Sequence, residues 1–350
     1  MELLKLFLMM IIIVNICASH TKRYTYDFEY ESLESMAGSI SNITEPNYIC
    51  TSLSGRIAIA SDTNGNIYRT KNHGKSWTSS KALEINKNKY GSISGCVFSK
   101  SGEEILISTN DDDAIFYSND FGDSFTIQSS RTCSIMSASD GLNNVVCING
   151  TPGENNAILY SNDKGKTWIK SKVEKAAWIG VASNSDFTNI VAIVQTSENY
   201  AYGSSDGGKT FEVIANNEDH TWSCLAASRD LETMIITDSG SRNAHYSVDG
   251  GYNWKQLYNG IGMTATYKSC AVSGDGKSFA LGWDNHAIEI GHDCEISSDH
   301  SHCHSSWKDQ LHGSSTGSFD TVAVALNDDG TIFYAVDATA MEIEIGTVNE

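Results

Sequence analysis

An all-β fold of repeated four-stranded antiparallel units is predicted by two observations on the 350-residue sequence. The pattern Ser/Thr-x-Asp/Asn-x-Gly-x-Ser/Thr/Asn-aromatic starts at Thr70, Ser118, Ser161, Ser204 and Ser247, at spacings of 48, 43, 43 and 43 residues. Each interval holds the same succession of short apolar runs and polar turns, as in "SCLAASRDLETMIITDSGSRNAHYSVDGGYNWKQL" from Ser223. Short β-rich runs at this spacing read as four-strand units, and repeats of roughly 40–50 residues with four strands each are propeller blades.

The elements follow in order within that window. A first strand covers Cys224–Ala227, a second Thr233–Thr237 and a third Asn243–Ser247; the Asp-containing turn comes next, and Trp254 opens the fourth. First strands of this character begin near Cys50, Cys96, Cys133, Gly180, Cys224, Cys270 and Thr321, and second strands follow in "RIAIA", "EILIS", "NVVCI", "NIVAIV", "TMIIT", "SFALG" and "TIFYAV". That predicts a seven-bladed β-propeller in one domain, 19–350. The last blade, ending at "MEIEIGTV", lacks a fourth strand, whereas "YTYDFEY" from Tyr24 alternates aromatic and polar residues and belongs to no other blade. It is expected to supply the missing strand, closing the ring and removing exposed sheet edges.

The recurring turn resembles the Asp-box, the bacterial neuraminidase repeat of the sialidase and sortilin-like propellers, also present in a photosystem II assembly factor. The resemblance rests on five copies and covers most of the chain. It implies that the box joins strands three and four and is structural. The Asp accepts backbone N–H bonds across the turn, the Gly supplies a positive φ and the aromatic packs between blades. Those roles fall on Asp120, Asp163, Asp206 and Asp249 (Asn72 in the first copy), on Gly74, Gly122, Gly165, Gly208 and Gly251, and on Trp77, Phe125, Trp168, Phe211 and Trp254.

Residues 1–18 have the form of a secretory signal: Lys5, an apolar run from Leu6 to Ile16, then the small residues Ala18 and Ser19. A soluble, secreted protein without a membrane span is expected. Cys17 leaves with the signal, and the eight remaining cysteines form an even set suited to an oxidising compartment. An even set of eight permits 105 connectivities. Repeat register favours Cys50 with Cys96 and Cys224 with Cys270 across neighbouring blades, Cys133 with Cys147 across strands one and two, and Cys294 with Cys303 locally. Asn42 and Asn149 head N-glycan acceptor triplets, the second followed by Pro152. A formal net charge of −19 argues against nucleic-acid partners.

No catalytic constellation is found. The resemblance to sialidases implies three arginines around a substrate carboxylate, but "GRIAIA" at Arg56 lacks the proline of their first arginine motif, and no arginine follows Arg242. A glycoside hydrolase acting through an unidentified carboxylate pair remains the alternative. The leading expectation is a secreted, non-catalytic binding or scaffold propeller that recognises a glycan or an extracellular protein. Aromatics precede several first strands, among them Tyr48, Trp178, Trp222 and Tyr267; they either stack on a ligand at the channel mouth or fill the space between blades. Asp111–Asp113 read either as part of a calcium site or as a solvated turn. Where the sixth copy of the box is due, "IGHDCEISSDHSHCHSSW" carries His292, His300, His302 and His304 around Cys294 and Cys303. This cluster suits zinc or copper, or else the cysteines staple an enlarged turn among solvated histidines. No other cofactor is expected.

Overall fold

The computed structural model describes residues 30–31, 45–80, 92–109, 114–195, 200–216, 221–238, 243–257, 267–283, 286–296, 301–307, 321–337 and 342–347. The side chains of 292–296 and 301–307 are not among them, and residues 1–18, Asn42 and Asp111–Asp113 lie outside the described residues. Every described element is a β-strand, and no described helix is long and apolar enough to cross a membrane. The strands form five four-stranded antiparallel sheets and one of eight. The larger sheet consists of two four-strand units linked where Asn155 and Asn156 pair with Ala177 and Ala176. Within each complete unit the second strand is the most deeply buried: Ile105–Thr109, Ile190–Val194 and Met234–Asp238 are buried at every position. Continuous apolar runs are what a strand covered on both faces requires.

The Asp-containing turns share one hydrogen-bond plan. The Ser or Thr hydroxyl that opens the turn accepts the glycine N–H four residues on, at 2.9 Å for Thr70, Ser118, Ser161 and Ser247 and 3.0 Å for Ser204. The Asp Oδ1 accepts the N–H of the residue before the aromatic, as Thr210 N–H to Asp206 at 3.0 Å, while the Thr210 hydroxyl donates to Asp206 Oδ2 at 2.6 Å. In the first copy Asn72 keeps the backbone bond from Ser76 and turns its amide into a donor to the Ser76 hydroxyl, so a neutral side chain serves. Two consecutive residues are left-handed, such as Lys164 (φ 61°) and Gly165 (φ 73°). At Gly74 (φ 78°) a Cβ would also collide with the Ile345 side chain of the last strand.

Burial pushes these carboxyls up, but the hydrogen bonds outweigh it: Asp120, Asp163 and Asp249 sit below their ordinary value, and Asp206 falls to about 2 with Thr210, Ser204 and Lys209 donating to it. A carboxyl whose pKa is depressed by folding adds stability above its unfolded value, lost as pH drops through the folded one. Asp206→Ala is therefore expected to cost about 1–2 kcal/mol at neutral pH. Its deficit relative to wild type should close between pH 3.8 and about 2, as denaturant titrations at stepped pH will read.

A second repeat, not anticipated above, shapes the turns between first and second strands. Ser52, Ser99, Ser139, Asn184, Ser228, Ser273 and Asn327 each accept, on the side chain, the N–H of the residue five positions on, at 2.9–3.2 Å. Three residues after each stands a left-handed residue: Gly55, Gly102, Leu142, Phe187, Leu231, Gly276 and Gly330. Leucine or phenylalanine at φ 56–64° is strained by roughly 1–2 kcal/mol, and the burial of Leu142, Phe187 and Leu231 offsets it.

These turns also bond to one another. Lys100 N–H donates to the Asp140 carbonyl, Asp140 to Ser185, Ser185 to Arg229, Arg229 to Gly274, Asp275 to Asp328 and Asp328 to Leu53, at 2.7–3.0 Å. Arg229 spans this hub, donating to both carboxylate oxygens of Asp140 (2.7 and 2.5 Å) and to Asp328 (3.4 Å). The last sheet thus meets the first. Tyr334 O–H donates to the Gly55 carbonyl at 2.6 Å, and Trp77 stands edge-on to Tyr334 in one core with Ile49, Val336 and Ile343. Tyr30–Glu31 pairs with Glu342–Thr347, making the fourth strand of the last sheet.

Three disulfides join Cys50 to Cys96, Cys133 to Cys147 and Cys224 to Cys270, the pairings that the repeat register favoured. The first and third tie the inner strands of neighbouring units; the second lies within one unit.

Candidate functional site

Three of the described aromatics ahead of the first strands are buried. Trp178 is 0% exposed, Trp222 1% and Tyr267 2%, and Tyr48 is half-buried against the Cys50–Cys96 region. Trp178 stands edge-on to Tyr202 with ring centroids 5.0 Å apart, and Trp222 packs on Trp254 at 6.1 Å. Trp178, Trp222 and Tyr267 are thus enclosed by apolar neighbours, whereas Tyr48 keeps part of its surface exposed. Of the box aromatics, Trp77, Phe125 and Phe211 are buried, whereas Trp168 and Trp254 are partly exposed and donate their indole N–H to the Gly165 and Gly251 carbonyls, both at 2.9 Å. Asn149 donates its side-chain amide to the Thr132 carbonyl at 2.8 Å. Cys294, Cys303, His292, His302 and His304 stand on described backbone with side chains outside the described residues, and His300 lies outside them altogether.

A concave feature lies among the turns. An open groove of about 580 Å³ runs between the unit that ends in Glu212–Asn216 and the one that begins with Trp222–Ala227. Its floor is apolar, from Ile190, Val191, Ile214, Leu231 and Val248, and its walls carry Glu212, Asp230, Glu232 and Asp249. No lysine or arginine is found among the described residues that line it. Tyr252 stands at the rim, 61% exposed, and Val213 beside Glu212 is 52% exposed.

Local structure explains the lining. The Asp249 turn holds Gly250 and Gly251 in the left-handed region, which pushes Tyr252 outward instead of into the sheet. Asp230 Oδ1 accepts from the Ser228 hydroxyl (2.6 Å) and the Glu232 N–H (3.0 Å), fixing the turn that presents Glu232. The Gly250 N–H reaches the Glu232 carbonyl at 3.4 Å and ties the two turns together. Asp249 is held below the ordinary carboxylate range because bonds from Asn253 and Ser247 outweigh the effect of burial, so it stays ionised near neutrality and cannot serve as a general acid. Glu212 and Glu232 are exposed, leaving two carboxylates free to meet a partner's charge.

None of these groove residues except Asp249 was singled out from sequence. The available signal was the repeat itself. Tyr252 is a bulky aromatic at a turn position held by Lys75, Asp123, Lys166 and Lys209 in the other copies.

No protein-family model matches the chain, and no curated protein matches it in sequence. Solved structures do match it in fold. An ancestral GH74 enzyme superposes with a TM-score of 0.64 at 12% identity, over 84% of this chain and 44% of that one. YCF48 bound to D1 peptide gives 0.63 at 12% identity, covering 92% and 97% of the two chains. The β-propeller domain of Myceliophteria thermophila Cps50 (Swd1) gives 0.63 at 9%, over 86% and 96%. The chain thus spans less than half of the GH74 enzyme. At these identities the likeness is one of fold, a β-propeller, and it includes both an enzyme and a peptide-bound protein.

Proposed function

We propose that the chain is a seven-bladed Asp-box propeller, closed by its N-terminal strand, that acts outside the cell as a non-catalytic binding protein, and that the groove beside Tyr252 takes a basic, extended segment of a protein partner. The ring reading is supported by the hydrogen-bond chain from Lys100 round to Leu53 and by the pairing of Tyr30–Glu31 with the last strand. The extracellular reading is supported by the three disulfides, which suit an oxidising compartment.

The groove carries the binding reading. Its apolar floor, exposed Tyr252 and uncompensated carboxylates together complement a segment with an aliphatic or aromatic anchor flanked by lysine or arginine. A protein segment is favoured over a glycan because the groove offers one solvent-facing ring, Tyr252, amid four acidic residues, while Trp178, Trp222 and Tyr267 are enclosed. A protein of similar fold, YCF48, is solved bound to D1 peptide, which is in keeping with a peptide-binding role.

Selection of a displayed random-peptide library on the purified protein tests the proposal. Enrichment of Lys/Arg-rich peptides is expected. Enrichment should fall at least about tenfold on Tyr252→Ala, the loss of one well-buried anchor being worth more than about 1.4 kcal/mol. Peptides without a basic bias, or glycan binding with turnover in a parallel screen, would overturn it.

A further inference from the structure

The hairpin formed by His286–Ile296 and Ser301–Trp307 is the longest among the described residues and lies in the unit before the last sheet. Its register places chemistry together that the linear order scatters. His292 pairs with His304 and Glu295 pairs with His302, with a bulge between the two pairs. Residues directly opposite in an antiparallel pair share a face, and so do residues two apart on one strand. His304 and His302 are two apart. Three steps separate His292 from Glu295, which would put them on opposite faces of a regular strand; the extra residue of the bulge restores Glu295 to the face of His292. Three histidines and one glutamate therefore occupy four neighbouring register positions on one face. In an antiparallel pair, opposite positions have Cβ atoms about 4.5–5.5 Å apart, and successive same-face positions lie about 7 Å apart along the strand.

The same register separates the sulfur atoms from this set. Asp293 and Cys294 form the bulge, and the single residue facing it is Cys303, whose position alternates with His302 and His304 and falls on the other face. Both cysteine positions thus fall at the bulge, apart from the histidine positions.

We propose that this hairpin binds a zinc ion, because its register brings His292, His302, His304 and Glu295 to neighbouring positions on one face. Three imidazoles and a carboxylate suit a four-coordinate borderline cation, whereas calcium and magnesium require oxygen ligands.

The full secreted chain, stripped with chelator and titrated with Zn²⁺ by calorimetry, tests this. One ion per chain is expected, with affinity weakened at least about tenfold in His304→Ala and in the milder His302→Gln. Both variants should keep the wild-type near-ultraviolet dichroism in the absence of metal, and Glu232→Lys in the groove should bind zinc normally. Binding is expected to be unchanged in Cys294→Ser/Cys303→Ser. Absence of uptake, uptake indifferent to both histidine variants, or uptake abolished by the cysteine variant would each overturn the proposal.

Discussion

Replacing Trp222 with alanine is expected to lower the unfolding free energy by about 3–5 kcal/mol, the range for deleting a fully buried large aromatic. The ring is 1% exposed and is enclosed by Ile179, Ile193, Ala201 and Ile236 from the two units it joins, with Trp254 tilted against it. That cluster has little room to collapse, because the strands on both sides are held by antiparallel ladders that break register only at the bulges beside Trp178 and Trp222. The cost therefore includes a cavity as well as lost transfer energy. Denaturant midpoints and secreted yield will read it. A Trp222→Ala protein of wild-type stability with altered ligand binding would return this ring to a recognition role.

The second large effect concerns the staples between units. Cys224 and Cys270 close a loop with a sequence separation of 46, for which the chain-entropy estimate is about 4 kcal/mol. Replacing both with serine should lower stability by roughly 2–4 kcal/mol. The same change at Cys133 and Cys147, separated by 14, should cost less. The ordering follows from loop length alone, so equal losses for the two pairs, measured in the same buffer, would show that strain or packing at these sites governs instead.

Much of the fold was legible in the sequence because propeller units repeat their hydrogen-bond needs. Each Asp-containing turn must satisfy the same backbone donors, which preserves Ser or Thr, Asp and Gly at fixed offsets. The cysteine pairings were legible for a related reason: Cys50, Cys96, Cys224 and Cys270 occupy equivalent positions of first strands, and neighbouring first strands lie side by side near the hub. The capping repeat that begins at Ser52 was present too, but Leu142, Phe187 and Leu231 replace glycine in three copies and disguise it. Ala176–Ser183 departs from four-strand modularity. Its leading end runs beside Asn155, where Gly153 N–H bonds the Trp178 carbonyl at 2.9 Å, a pairing between units that local pattern does not reveal.

The site was far less legible. The aromatic rings that precede the first strands carry no mark distinguishing a stacking platform from a filled interblade space; burial decides, and burial depends on the neighbouring unit. The groove draws Glu212 from an outer strand, Asp230 and Glu232 from a turn between first and second strands, and Asp249 and Tyr252 from the turn that follows the third strand. Those segments converge only when two units pack. Periodicity indicates that they pack, but not what they leave open between them.

The most direct test of the central claim is the affinity of the purified protein for a selected Lys/Arg-rich peptide, measured against salt for wild type and for Glu212→Lys/Glu232→Lys. Steep weakening with salt for wild type is expected, together with at least about tenfold weaker binding and a flatter salt dependence for the double variant, since the charges that attract the peptide have been reversed. Salt-independent binding that the double variant retains in full would contradict the assignment of the groove as the binding site.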